Sequence, residues 1–184
     1  MIGSSLANGQ GTSKRRELDF YPTPENVTVA LMDFLNLPKT KVWECACGDG
    51  AMSEVLTRYG HDVFSSDLRH TTYGVGGLDF LQTPRPQDVQ ALITNPPFNL
   101  SEAFIRKACS EVEIVAMVLK SQYWHAAKRQ RLFEELPPTW VLPLSWRPDF
   151  LAGERGGAPT MEVLWTVWVR GQTDTRYRVL KKPK

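Results

Sequence analysis

Apolar residues follow a helical spacing near the start of the chain. Thr23 and Pro24 come first, and a threonine cap followed by proline is typical of a helix start. The next residues place one apolar face on a helix that ends before Pro38. The face consists of Val27, Ala30, Leu31, Phe34 and Leu35.

Downstream, short apolar runs alternate with amphipathic segments. The runs predict strands at residues 41–45, 61–66, 90–94, 112–119, 139–144 and 162–169. The segments between them predict helices at 51–59, 101–110 and 126–136, the second capped by Ser101. Strands separated by helices imply an α/β fold with a parallel sheet and helices on both faces. No helix separates the last two strands, so we expect a hairpin that adds one antiparallel strand.

Composition and charge are those of one globular domain. The chain has 184 residues, 42% of them hydrophobic, and a formal net charge of +2. We expect a disordered tail at 1–19, the domain at 20–171 and a basic tail at 172–184. Three cysteines are too few for a disulfide framework, and their spacing does not suit a metal site. The chain has no apolar run of about 18 residues, so we expect a cytoplasmic protein without a membrane partner.

The tetrapeptide Asn95-Pro96-Pro97-Phe98 follows the predicted strand at 90–94. Ligands of open α/β sheets bind at the carboxyl ends of strands. The asparagine supplies a carbonyl acceptor, and the prolines fix a turn whose carbonyl groups are free to point outward. Phe98 can stack on a flat ring. This combination predicts a receptor for the exocyclic amine of a planar base, although a plain strand-ending turn has the same composition.

Upstream residues predict a nucleoside cofactor at the same edge. Gly48 and Gly50 permit a tight turn after the first strand, but neither a dinucleotide fingerprint nor a phosphate loop is present. Glu44 suits an ammonium group, and Asp67 ends the second strand, where a carboxylate can accept both ribose hydroxyls. Asp79 and Phe80 can hold an adenine. Each residue alone also has a purely structural explanation; jointly they favour S-adenosylmethionine.

These residues resemble the motifs of class I, S-adenosylmethionine-dependent DNA adenine (N6) methyltransferases. Four parts carry the resemblance: Tyr21-Pro22-Thr23-Pro24; Glu44, Ala46, Gly48 and Gly50; Asp67 with Leu68, followed by Asp79-Phe80; and Asn95-Pro96-Pro97-Phe98. The family implies a Rossmann-like methyltransferase fold with a mostly parallel, seven-stranded sheet. The first three parts, together with Asn95, would bind the cofactor, and the fourth would be catalytic without a metal.

The chain is most similar to the compact, stand-alone members often found in phage and prophage genomes, which would act in the host cytoplasm. It has no room for a sizeable target-recognition domain, so its sequence specificity is open. DNA is the expected partner, with flipping of the target base. Candidate DNA contacts are Lys120, Arg129, Trp146 and Arg147, with Trp146 or Phe150 facing the base.

Other functions share the same receptor. Methyltransferases of RNA bases and of glutamine side chains in translation factors carry a similar Asn-Pro-Pro-aromatic motif. A catalytically idle fold that binds nucleic acid or protein is a further alternative. The motif at 21–24 favours DNA among these substrates.

Overall fold

One eight-stranded sheet runs through the part of the chain that the computed structural model describes, residues 22–150 and 161–184. Its strands are β1 (Lys41–Glu44), β2 (Asp62–Asp67), β3 (Val75–Gly76), β4 (Ala91–Thr94), β5 (Ile114–Lys120), β6 (Trp140–Pro143), β7 (Val163–Val169) and β8 (Arg176–Tyr177). They lie in the order β3-β2-β1-β4-β5-β7-β6-β8.

The pairing confirms the predicted sheet type. Strands β1 to β5 pair in parallel with their neighbours, and β7 is antiparallel to both β5 and β6. The hairpin of β6 and β7 was predicted; β7 inserts between β5 and β6, and β8 adds in parallel to β6. The sheet has eight strands rather than seven. Strands β3 and β8 have two residues each, which is too short to give a periodic pattern in the sequence.

Four α-helices cover the sheet in the described residues: α1 (Glu25–Leu35), α2 (Ala51–Arg58), α3 (Ser101–Glu111) and α4 (Gln130–Glu135). The helix predicted at 126–136 is shorter, because two 3-10 turns, Ser121–His125 and Ala127–Arg129, precede it. The Arg129 guanidinium lies over the Tyr123 ring and donates to the Tyr123 carbonyl at 2.8 Å, which stabilises these turns. None of the helices at 22–150 and 161–184 is long and apolar enough to cross a bilayer.

Two hydrophobic clusters lie on opposite faces of the sheet. One packs α1 and α2 against it, and the other packs α3 and α4. Strand β7 contributes to both, because successive strand residues alternate between faces. Trp165 donates its indole N–H to the Val27 carbonyl of α1 at 2.9 Å, and Trp168 donates to the Leu136 carbonyl at 3.0 Å. These bonds pair buried indole groups and fix the helices on the sheet.

The segment 172–184, expected to be a basic tail, contains β8 and the buried Leu180. The expected tail at 1–19 lies outside the described residues.

Candidate active site

A cavity of about 530 Å³ opens at the carboxyl ends of β1, β2 and β4. Parallel neighbours in a sheet bring these ends to one edge. The predicted site residues that line it are Pro22, Thr23, Glu44, Ala46, Asp67, Leu68, Asp79, Phe80, Asn95, Pro96, Pro97 and Phe98. Tyr21, the remaining member of the motif at 21–24, lies outside the described residues.

The glycine-rich turn after β1 depends on its glycines. Gly48 and Gly50 have φ angles of 55° and 90°, in the left-handed region that side chains disfavour. A Cβ atom on Gly50 would lie 2.4 Å from the Tyr73 ring. The Gly48 N–H donates to Asp67 Oδ2 at 2.9 Å. The turn is therefore bonded directly to the end of β2.

Asp67 is a buried carboxylate with several donors around it. Its Oδ1 accepts from the Arg69 backbone N–H at 2.8 Å and from Arg69 Nε at 3.1 Å. Burial alone would raise the pKa of Asp67, but the hydrogen bonds from Arg69 and Gly48 outweigh it and hold the pKa below its ordinary value. Asp67 is therefore an ionised acceptor. Arg69 was not predicted, because an arginine two residues after an aspartate has no distinctive sequence pattern.

Glu44 differs from Asp67 in its charge. Its side chain is 2% exposed and accepts from Ser53 Oγ at 2.7 Å. Burial, with repulsion from Asp67 and Asp49, raises the pKa of Glu44 to about 8. The negative charge expected from the sequence is therefore mostly absent at pH 7 unless a cation enters the cavity. An ammonium group beside Glu44 would stabilise the ionised form.

Asp79 and Phe80 stand in the wall of the cavity with strong structural contacts. Asp79 Oδ1 accepts from the Leu81 N–H at 2.9 Å. Phe80 is 2% exposed and packs on Trp43 and Phe104, with ring centroids 5.1 and 4.6 Å away. Phe80 thus belongs to the core as well as to the cavity. The larger exposed apolar surface in the cavity wall belongs to Leu68, which is 59% exposed.

Asn95 connects the turn after β4 to the segment that precedes α1. Its Nδ2 donates to Thr23 Oγ1 at 3.1 Å, whereas its Oδ1 is shielded from solvent and has no hydrogen-bond partner among the described residues. The contact fixes the amide and leaves its acceptor unpaired. It also corrects the predicted cap of α1: Pro24 is the N-cap residue, and no side chain caps the helix. The Thr23 hydroxyl bonds to Asn95 instead.

Phe98 begins a 3-10 turn, Phe98–Leu100, at the cavity. The Lys120 ammonium, at the end of β5, lies 4.4 Å from the centre of the Phe98 ring. Ser101, predicted to cap α3, donates to the Phe98 carbonyl, and Leu100 is the N-cap residue. Lys120 is thus the candidate DNA contact that touches the Asn95-Pro96-Pro97-Phe98 motif.

None of the four candidate DNA contacts lines the cavity. The Arg129 guanidinium packs on Tyr123, and Arg147 forms an ion pair with Glu162 at 2.6 Å. Trp146 packs against the core cluster of α1 and α2, and Phe150 is buried within it. The sequence also missed several cavity residues, among them Asn99, Leu100 and Phe104. Their position follows from the turn after β4, which no local pattern encodes.

Solved structures share this architecture. A protein of Pyrococcus horikoshii, provisionally assigned as an RNA methyltransferase, superposes with a TM-score of 0.64 over 83% of this chain and 87% of its own, at 15% identity. A modification subunit of a provisionally assigned type I restriction enzyme from Vibrio vulnificus gives 0.63 over 90% of this chain and 48% of its own, at 14% identity.

A dimethyladenosine transferase from Plasmodium falciparum gives a TM-score of 0.56 over 82% of this chain and 62% of its own, at 12% identity. No sequence-family profile and no curated protein sequence matches the chain. At these low identities the likeness establishes the fold. The protein has the Rossmann-like fold of class I methyltransferases, as the sequence motifs predicted.

Proposed function

We propose that the protein is an S-adenosylmethionine-dependent methyltransferase that methylates the exocyclic N6 amino group of adenine in DNA. The observation that carries the proposal is the unpaired, shielded Oδ1 of Asn95 beside the cavity. A buried acceptor without a donor costs about 1–3 kcal/mol, which a donor brought by the substrate would recover. The provisionally assigned RNA methyltransferase and the restriction-enzyme modification subunit of the same fold support a nucleic-acid substrate.

The cavity suits the cofactor. Its volume of about 530 Å³ lies in the usual range for small-molecule sites. Asp67 would accept the ribose hydroxyls, with Arg69 giving way, and Glu44 would face the amino group. Leu68 would pack on the adenine of the cofactor. When bound, S-adenosylmethionine supplies a methyl group on a positively charged sulfur. The neighbouring Gly48 and Gly50 let the backbone approach it.

Asn95 and Pro96 would prepare the nucleophile. The lone pair of the adenine amine is delocalised into the ring, so the amine attacks poorly. If Asn95 Oδ1 and the Pro96 carbonyl accept its two hydrogens, the nitrogen becomes more tetrahedral and its lone pair faces the methyl group. Both acceptors also favour the positive charge that develops on nitrogen. The bound cofactor would supply the methyl group, and the methylated amine held by Asn95 and Pro96 would lose a proton to water.

Phe98 would hold the base that has left the duplex. Extrusion costs a few kcal/mol, and stacking on an aromatic ring returns roughly 1–3 kcal/mol per base. In the structure Lys120 covers the face of Phe98 at 4.4 Å. An entering base would replace the ammonium there and free Lys120 to contact a phosphate.

Substrate choice is tested with labelled S-adenosylmethionine offered to duplex DNA, single-stranded DNA, RNA and a translation release factor. We expect label in DNA, in a product that digestion identifies as N6-methyladenine. Label found only in RNA or only in protein would overturn the DNA proposal. Absence of label in all four substrates, with no cofactor binding by calorimetry, would overturn the enzymatic proposal.

The role of Asn95 is tested by Asn95→Ala. Loss of one preorganised group of this kind lowers kcat by about 10²–10³-fold. The matched control is Gln172→Ala, which removes an exposed carboxamide far from the cavity and should keep wild-type turnover. Thermal unfolding checks that both variants fold. Full activity in Asn95→Ala would contradict the mechanism.

A further inference from the structure

The last fifteen residues carry a larger net positive charge than the whole chain. Residues 170–184 contain six Lys and Arg residues and one Asp, a net charge of +5, whereas the whole chain has +2. Every residue from 171 to 182 is exposed except Leu180. The lysines at 181, 182 and 184 form no ion pair with a carboxylate of the described residues. The segment therefore carries exposed lysines without a carboxylate partner among the described residues, whereas Arg170 at its start pairs with Glu113 at 3.2 Å.

Backbone hydrogen bonds hold the segment on the sheet. The N–H groups of Arg176, Arg178 and Leu180 donate to every second carbonyl from residue 139 to residue 143, along β6, at 2.8–3.1 Å. The Ser145 N–H donates to the Leu180 carbonyl at 3.0 Å. Leu180 is 4% exposed and packs in the core cluster of α1 and α2. The charges are therefore carried on an ordered strand edge.

Successive side chains of a strand point to opposite faces of the sheet, so the side chains of this segment divide between the two faces. Arg176 and Arg178 lie over the rings of Trp140 and Phe34, on the face that carries Leu180. Tyr177 and Val179 alternate with them and are 68% and 44% exposed. The strand thus presents an exposed aromatic ring on one face and two arginines on the other, and lysines follow it, a composition suited to a nucleic-acid surface.

The direction of β8 leads its lysines to the edge that bears the candidate active site. Strand β7 is antiparallel to both β5 and β6, so β6 runs in the same direction as β5 and β4. Strand β8 is parallel to β6 and therefore has this direction too. Lys181 and Lys182 follow β8, so they lie toward the same carboxyl edge as Asn95. Strand β8 is four positions from β4 in the sheet, a separation of about 19 Å at the usual strand spacing. Lys120, at the end of β5, lies between them.

We infer that the C-terminal segment, through Lys181 and Lys182, binds the phosphate backbone of duplex DNA that flanks the target base. The inference rests on the proposed function, and it gives DNA the contact surface that the cavity itself lacks. Lysine contacts to phosphate position a duplex without reading its sequence. At about 3.4 Å per base step, a separation of about 19 Å corresponds to about six base pairs from the extruded adenine.

The central experiment compares two double variants of equal charge change. Lys181→Ala with Lys182→Ala removes the proposed phosphate contacts, whereas Lys39→Ala with Lys41→Ala removes two lysines at the opposite, amino end of β1. Binding of a fluorescein-labelled DNA duplex is followed by anisotropy over a range of salt concentrations. We expect the first variant to bind on the order of tenfold more weakly and to lose about two units of salt slope. The control should match the wild type.

The inference would be overturned by equal affinity and slope in the wild type and the Lys181/Lys182 variant, or by an equal loss in the control. An effect seen with duplex RNA and not with duplex DNA would also overturn it. Lysines on an edge strand also keep sheets from pairing edge to edge. If that were their whole role, the variant would aggregate in gel filtration and its monomer would bind DNA like the wild type.

The reach of the contact is tested once the methylated adenine has been mapped in plasmid DNA. Duplexes are shortened on either side of it, and KM is measured for the wild type and the Lys181/Lys182 variant. We expect the difference in KM to vanish when fewer than about six base pairs remain on one side. A difference that persists on the shortest duplexes would contradict the placement.

Failure of the two proposals is distinguishable. If the wild type binds duplex DNA with the expected lysine dependence but transfers no methyl group, the proposed function is refuted and the DNA-binding role of Lys181 and Lys182 stands. If the wild type methylates DNA with no contribution from Lys181 and Lys182, the proposed function stands and the DNA-binding role of these lysines is refuted.

Discussion

In the half of the sheet formed by β1 to β4, two carboxyl groups of the site are buried and hydrogen-bonded, whereas in the half formed by β5 to β8 the basic residues after β7 are exposed. Glu44 and Asp67 are 2% and 5% exposed, and Asp67 accepts from the turn that follows β1. At the other end of the sheet, Tyr177 is 68% exposed, and the lysines beyond it are free of carboxylates in the described residues.

The difference separates two ways of binding. Buried, mutually bonded groups have fixed positions, so they can orient a small molecule and reacting atoms. Exposed cations act through net charge, tolerate substitution and depend on salt. Changes in the cavity half should therefore alter turnover and cofactor binding, whereas removal of the exposed lysines should alter DNA affinity without changing turnover.

The largest effect should come from Gly50→Ala in the cavity half. Alanine at a φ of 90° is strained, and its Cβ would lie 2.4 Å from Tyr73. Strain of about 1–3 kcal/mol and overpacking of about 1–3 kcal/mol together predict a loss of roughly 4 kcal/mol in the free energy of unfolding. The displaced turn should also abolish binding of S-adenosylmethionine. Urea denaturation and calorimetry measure the two losses.

Gly171→Ala is the matched control from the other end of the sheet. Gly171 has a φ of 80°, but a Cβ there would meet nothing within 4 Å. The Gly171→Ala variant should lose only about 1–2 kcal/mol of unfolding free energy, which is the cost of an alanine at positive φ. It should still bind the cofactor. Equal losses in the two variants would show that the close approach of Tyr73 has no energetic weight.

A second effect is a pH dependence confined to the cavity half. The pKa of Glu44 is about 8 in the folded protein against 4.5 ordinarily. The folded state therefore holds the extra proton, so this stabilisation is complete below pH 4.5 and is lost as the pH rises toward 8. Relative to Glu44→Gln, the wild type should lose on the order of 3 kcal/mol of unfolding free energy between pH 5 and 8.

Denaturation curves at several pH values measure this difference, and parallel pH profiles of the two proteins would refute it. The proton on Glu44 should also be detectable when the cofactor binds. An ammonium group that docks beside Glu44 at pH 7 should expel the proton, so the heat of cofactor binding should depend on the ionisation enthalpy of the buffer. Glu44→Gln should lose that dependence.

The sequence predicted the long elements well, because they have strong periodicity. The strands at 41–45 and 112–119 match β1 and β5 within two residues at each end, and the stripe from Val27 to Leu35 lies on α1. Strands β3 and β8 could not be predicted, because sheet neighbours rather than local pattern stabilise two-residue strands. The basic end of the chain was consequently interpreted as a tail.

The sequence predicted those site residues whose side-chain chemistry and location at a strand end are both visible in a short stretch of sequence. Glu44 and Asp67 each end a strand and Asn95 directly follows one, and the parallel order brings these strand ends together. The bond from Asn95 to Thr23 joins residues 72 positions apart, so no local pattern reveals it. The partial neutrality of Glu44 was also unpredictable, because burial, which the sequence does not give, raises its pKa.

The smallest effect, and the finest test of the cavity half, is Thr23→Val. Valine keeps the shape of threonine but cannot accept from Asn95 Nδ2, which now bonds at 3.1 Å. A less fixed amide should lower kcat by about tenfold, the equivalent of about 1.4 kcal/mol for one hydrogen bond. Thr23→Ser restores the hydroxyl and should recover most of the rate, whereas a purely structural role would lower the melting temperatures of both variants. Unchanged kcat in Thr23→Val would mean that Asn95 is oriented without Thr23.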